Sequence, residues 1–80
     1  MDTIAVLDFG SQYTDLLASR LRKRHYFAEV MDYDTKVTEL GNPKGIILSG
    51  SPDSVGDSHL KYDRKIWELG IPILGVCYGA

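Results

Sequence analysis

The residues with the clearest chemical promise are Gly75-Val76-Cys77-Tyr78-Gly79. They place the chain's single cysteine between two glycines, directly after an apolar run that reads as a strand. This is the spacing of a nucleophile elbow with sulfur in place of a serine hydroxyl. In such an elbow the nucleophile occupies a tight strand-to-helix turn. Side chains two residues to either side would collide with neighbouring backbone, so Gly75 and Gly79 suit those positions. A helix beginning behind the sulfur lowers the thiol pKa. The amide of Tyr78 is then placed to face a developing oxyanion. Taken alone, a lone cysteine is more often an inert buried residue. The preceding strand and the paired glycines bring the catalytic reading level with that one.

A second segment, Ser49-Gly50-Ser51-Pro52, follows another apolar run. A glycine at the end of a strand lets backbone approach a ligand closely, and such a turn can supply a further oxyanion amide. A third, Asp8-Phe9-Gly10-Ser11-Gln12-Tyr13, has the form strand–glycine–helix, which can hold an anion at the helix N-terminus. It lacks the glycine spacing of dinucleotide sites and of phosphate loops, so no ATP or NAD site is read within this chain. His25 falls at the end of a predicted helix and His59 in a polar stretch. Neither has the spaced partner of a metal site, and neither is placed to act as base for Cys77. No metal site is expected.

The elements that must position these groups alternate along the chain. Ile4–Asp8 reads as a strand apolar on both faces, as in a parallel sheet. Gln12–His25 reads as a helix with Ser11 as N-cap and Asp15 in its first turn. Tyr13, Leu16, Leu17 and Leu21 would form its inward face, and Arg20, Arg22, Lys23 and Arg24 a solvated C-terminal end. Phe27–Met31 is a second strand. A short helix capped by Thr35 and ended by Gly41 follows, then a third strand at Gly45–Ser49. Asp57 or Ser58 caps a helix running to about Leu69, with Leu60, Ile66 and Trp67 inward and Gly70 as its stop. Pro72 forbids continuation, and Ile71–Val76 is the fourth strand, with Cys77 at its end. Strand–helix alternation predicts an α/β fold, an open and mostly parallel sheet with helices on both faces. Ligands of such sheets sit beyond the carboxyl ends of the strands. The loops at Gly10-Ser11-Gln12, Ser49–Pro52 and Cys77-Tyr78-Gly79 all leave from that edge.

Composition narrows the partners. The chain has 80 residues, 9 Lys plus Arg against 11 Asp plus Glu, and a net charge of −2. That balance gives no general affinity for nucleic-acid phosphates. The longest wholly apolar stretch is Ile4-Ala5-Val6-Leu7, whereas a bilayer span needs about 20 residues. The N-terminus Met1-Asp2-Thr3 has no basic region before an apolar one, so no secretory signal is expected. One cysteine cannot form an internal disulfide, and a reducing, cytoplasmic location is the natural expectation. At this length a chain buries little more than about 60% of its unfolded surface, so its stability alone is expected to be marginal.

Three segments together carry a family resemblance: Val6-Leu7-Asp8-Phe9-Gly10-Ser11-Gln12-Tyr13-Thr14, Gly45-Ile46-Ile47-Leu48-Ser49-Gly50, and Pro72-Ile73-Leu74-Gly75-Val76-Cys77-Tyr78-Gly79. In this order and spacing the chain resembles the class I glutamine amidotransferase domains of the GMP synthetase family, which are flavodoxin-like. The G-x-C-x-G segment is general to the class, and D-F-G-S-Q-Y points to the GMP synthetase branch. The resemblance covers essentially the whole chain. It implies that Cys77 is the nucleophile that attacks the glutamine side-chain amide and forms a glutamyl thioester. It also implies that the oxyanion amides fall on Tyr78 and on Gly50-Ser51. The ammonia released would pass to an ATP-pyrophosphatase domain or subunit, which uses ATP and Mg²⁺ to aminate XMP to GMP in purine nucleotide biosynthesis.

The chain departs from the family pattern in three places. Ser51 stands where a second glycine is usual; if that position needs φ > 0, serine there costs about 1–2 kcal/mol. Ala80 stands where Met followed by Gln is usual. The family's His base and its orienting Glu lie beyond residue 80. Residues 1–80 are therefore expected to be the N-terminal portion of an amidotransferase domain, incomplete at the C-terminus and inactive in isolation. The alternative is a truncated module that only docks on a partner chain. A thiol hydrolase acting on esters is a third reading, against which D-F-G-S-Q-Y argues.

Overall fold

A computed structural model describes residues 2–10, 13–50 and 62–77. Four strands, β1 (Thr3–Asp8), β2 (Phe27–Asp32), β3 (Gly45–Gly50) and β4 (Ile73–Cys77), form one sheet in the order β2-β1-β3-β4. Every pairing is parallel. The continuous apolar run of β1 has the physical origin expected of it, because the strand is covered on both faces. Ala5, Leu7 and Phe9 join Ile46, Leu48, Leu40 and Ile66 in one core cluster. Val6 joins Ala18, Ala28 and Ile47 in the other. The second cluster lies under the helix α1 (Thr14–Lys23). The first lies under two 3₁₀ turns, Val37–Glu39 and Arg64–Glu68. The parallel α/β architecture is as expected, with α1 covering one face and shorter turns covering the other.

α1 differs from its expected form at both ends and in its face. It starts at Thr14, with Tyr13 in the N-cap position and no side-chain cap bond. Gly10 takes φ 101 and donates its N–H to Asp8 Oδ1 at 2.9 Å, so the turn out of β1 is held by a strand residue. Ser11 and Gln12 lie outside the described residues. At the other end His25 adopts φ 70. Its N–H reaches Arg22 O, and Tyr26 N–H reaches Leu21 O. That is a Schellman stop with histidine where glycine is the usual choice. The buried face is Thr14 and Ala18, flanked by half-buried Leu17 and Leu21. Tyr13 and Leu16 are instead exposed. Small Ala18 lets the helix approach the sheet closely, and this rotates the stripe away from the bulkier residues.

The remaining differences have similarly local causes. Thr35 does not cap a helix; its hydroxyl donates to Asp32 O at 2.8 Å, and the turn that follows is capped from Lys36. The 3₁₀ turn Arg64–Glu68 is capped by Asp63, whose carboxylate accepts the Lys65 N–H. Asp57, Ser58 and Leu60 lie outside the described residues. Ile66 is fully buried as expected, but Trp67 is 55% exposed and donates its indole N–H to the Tyr62 hydroxyl. In a 3₁₀ turn successive side chains are about 120° apart, so Ile66 and Trp67 cannot both face the core. Gly70, at φ 72, ends the turn as expected. β4 begins two residues later than expected, at Ile73, although Pro72 O still accepts the Ile46 N–H at 3.0 Å. Cys77 is the last strand residue rather than the first beyond it.

Candidate active site

The strand order places the site. β1 and β3 are neighbours, yet α1 leaves the end of β1 over one face while the turn holding Ile66 lies over the other. Chain connections therefore diverge above the β1–β3 pair, the position at which open parallel sheets bind ligands. Register brings the expected segments to that edge. Asp8 stands beside Ser49, Ser49 beside Val76, and Gly50 beside Cys77. The backbone of the candidate nucleophile is thus the immediate neighbour of the glycine expected to carry an oxyanion amide. Ser51, Tyr78 and Gly79 lie outside the described residues. Gly75 is exposed, and a Cβ added to it meets no described atom within 4 Å. No described contact requires glycine there.

The turn after β1 behaves differently from a free anion site. Its Gly10 N–H is already given to the Asp8 carboxylate, and Thr14 Oγ1 donates to the same Oδ1 at 3.2 Å. Thr14 Oγ1 also lies 3.1 Å from Ser49 Oγ, and Phe9 N–H donates to Ser49 O at 2.7 Å. Thr14 is 3% exposed and Ser49 is fully buried. Buried hydroxyls are costly unless hydrogen-bonded, and these are bonded to each other. In sequence Ser49 stands out only as the start of the Ser49–Pro52 segment and Thr14 only as the end of the first family segment. The available signal was a serine ending a strand whose other residues are apolar, and a threonine where a helix should turn toward the sheet. Phe9 closes the opposite side of this edge, with its ring 5.6 Å from those of Tyr33 and Tyr62.

Away from the site, Asp63 accepts the Val37 N–H at Oδ2 and the Lys65 N–H at Oδ1, each at 3.0 Å. The bond from Val37, then that from Lys65, holds its carboxyl below the ordinary aspartate range. His25 is exposed at the end of α1, away from the carboxyl edge, and His59 lies outside the described residues. Among the described residues no group of His, Cys, Asp and Glu is arranged to hold a metal ion. No described helix is long and apolar enough to cross a membrane.

A parallel sheet in which the strand end bearing the G-x-C-x-G sequence lies beside Gly50 points to a class, and sequence comparison agrees with it. Residues 5–80 match the family described as Glutamine amidotransferase class-I, and the chain belongs to that family. Within it the chain is similar to proteins named "GMP synthase [glutamine-hydrolyzing]". The one from Malacoplasma penetrans is 55% identical across 99% of this chain and 16% of its own length. Those from Gloeobacter violaceus and Nostoc punctiforme are 52% and 56% identical, across 98% and 95% of this chain and 15% of theirs. The chain therefore spans about a sixth of the length of these relatives.

Proposed function

We propose that residues 1–80 form the N-terminal portion of the glutaminase domain of a GMP synthase, and that Cys77 is its nucleophile. The observation that carries this reading is the pairing of Cys77 with Gly50 at the carboxyl edge. The thiolate attacks the side-chain carboxamide carbon of glutamine. The carbonyl oxygen takes the electron pair and is met by backbone N–H groups of Gly50, Ser51 and Tyr78. Collapse of this adduct expels ammonia, with a proton supplied by a general acid, and leaves a glutamyl thioester. Water then attacks the thioester, releasing glutamate and returning the thiol. The acid–base His of the family and its Glu partner are not among these residues, so residues 1–80 by themselves turn over no glutamine.

The ammonia is consumed in an ATP- and Mg²⁺-dependent amination of XMP by a synthetase domain or subunit. Among the described residues none is arranged to hold those groups. Gly10 N–H is spent on Asp8, and no phosphate-loop spacing exists. The cytoplasm is the compartment this chemistry and a single free thiol suit.

The test uses the full-length protein carrying this segment. A glutamine-analogue diazoketone is expected to label Cys77, and Cys77→Ala is expected to lower glutamine-dependent activity by more than about a thousandfold. Labelling elsewhere, or retained activity in Cys77→Ala, overturns the assignment. A second reading, a module that only docks on another chain, is favoured for the isolated 80 residues by the exposure of β4, where Leu74 is 59% exposed. Residues 1–80 that stay monodisperse and unfold cooperatively would count against it.

A further inference from the structure

We propose that Thr14 is a positioning residue for the oxyanion wall, acting on Gly50 through Ser49; this rests on the glutaminase reading above. The geometry is a relay across three elements. Thr14 has one hydroxyl proton, and it points to Asp8 Oδ1, because a carboxylate only accepts. With the Thr14 proton given to Asp8, the 3.1 Å contact between Thr14 Oγ1 and Ser49 Oγ, in which either hydroxyl can donate, takes serine as donor. The order is Ser49 hydroxyl to Thr14 hydroxyl to Asp8 carboxylate, with Gly10 N–H arriving at the same carboxylate oxygen. Ser49 is held a second time through its carbonyl, which accepts the Phe9 N–H at 2.7 Å. Side chain and main chain of Ser49 are thus both tied to the β1 end, one peptide before Gly50.

That placement gives the relay a catalytic consequence. Gly50 stands beside Cys77 in the sheet, so a shift of the β3 end moves an oxyanion donor relative to the nucleophile. Oxyanion donors act only when fixed at about 2.7–3.1 Å from the developing charge. A displacement of about 1 Å costs on the order of a hundredfold in rate. Packing alone does not need this relay, since an apolar pair of the same volume would fill the space. What hydroxyls add is a directional tie between the first turn of α1, the end of β1 and the end of β3. The relay also lies at the edge where the connections diverge, and not in the middle of the core.

The experiment compares Thr14→Val, Thr14→Ser and Ser49→Ala in the full-length protein, with glutamine hydrolysis read as separate kcat and KM. Thr14→Val is expected to lower kcat about 10- to 100-fold, with KM for glutamine changed by less than about threefold. Thr14→Ser keeps the hydroxyl and is expected to recover kcat to within about threefold of the parent. Ser49→Ala is expected to match Thr14→Val, and the double variant to lose no more than either single one, because both break one relay. Unchanged kcat in Thr14→Val, failure of Thr14→Ser to recover, or additive losses overturns the proposal. Should Thr14→Val not fold, Ser49→Ala and Thr14→Ser decide the matter by the same readout. If Cys77→Ala still hydrolyses glutamine, the glutaminase reading itself fails. If Cys77 is essential and Thr14→Val behaves as the parent, only the positioning role fails.

Discussion

β3 and β4 are close in composition and opposite in circumstance. Gly45-Ile46-Ile47-Leu48-Ser49-Gly50 is buried at every position. Ile73-Leu74-Gly75-Val76-Cys77 pairs with it residue for residue, yet Leu74 is 59% exposed and Gly75 is exposed as well. Beside Leu74 runs a groove of about 440 Å³ lined by Ile4, Leu21, Tyr26, Ile47 and Ile73. β3 is flanked by strands on both sides, whereas β4 is the edge of the described sheet. Apolar sequence makes a strand fit for burial; neighbours make it buried. The same contrast divides the candidate site. Its Gly50 side is set in a hydrogen-bonded, buried frame, while its Cys77 side stands on the edge strand.

Stability measurements can break or sharpen this contrast. The largest effect is expected from Leu48→Ala, since Leu48 is 2% exposed within the first core cluster. Such truncations cost about 2–5 kcal/mol. Leu74→Ala, its counterpart on β4, is expected to change stability by less than about 0.5 kcal/mol in the same urea titration. Comparable losses from both would show that β4 is covered in solution, and the contrast would vanish. His25→Gly comes next. His25 holds φ 70 at the end of α1, and relieving a left-handed non-glycine residue is expected to stabilise by about 1 kcal/mol, seen as a raised Tm.

The smallest effect is the pH dependence at Asp63. Its carboxyl is held low by N–H donors from Val37 and then Lys65. The stability it contributes is therefore present above the unfolded value of about 3.9 and is lost as pH falls through the lower folded value. Asp63→Asn is expected to flatten that acid limb of Tm against pH. An unchanged limb would show that the tie between the two 3₁₀ turns adds nothing measurable.

Much of this was legible because the signals were local. Four apolar runs separated by Gly, Pro and polar residues gave the strands to within two residues. Gly41 and Gly70 stand at positive φ where stops were expected. The G-x-C-x-G spacing and the D-F-G-S-Q-Y segment gave the family, and the match to residues 5–80 agrees. What failed were inferences about orientation. Apolar type points Tyr13, Leu16 and Trp67 inward, but Ala18 and Thr14 hold the interior of α1, and of Ile66 and Trp67 only Ile66 is buried. A helix face is chosen by how closely the backbone can approach the sheet, which hydrophobicity alone does not express. Cap assignments at Thr35 failed for a related reason, because a threonine hydroxyl can satisfy a carbonyl in the preceding turn as readily as an amide in the next one.

By itself the sequence determined which stretches are strands, that they alternate with helical segments, and which residue is the candidate nucleophile. Those properties depend on residues within a few positions of each other. Only the tertiary structure decided that β1 lies between β2 and β3, that Gly50 is the neighbour of Cys77, and that Ser49, Thr14 and Asp8 share one hydrogen-bonded relay. Ser49 and Thr14 are 35 positions apart in the chain. Their contact exists because sheet register, fixed by burial on both faces of β1 and β3, brings their backbones to one edge.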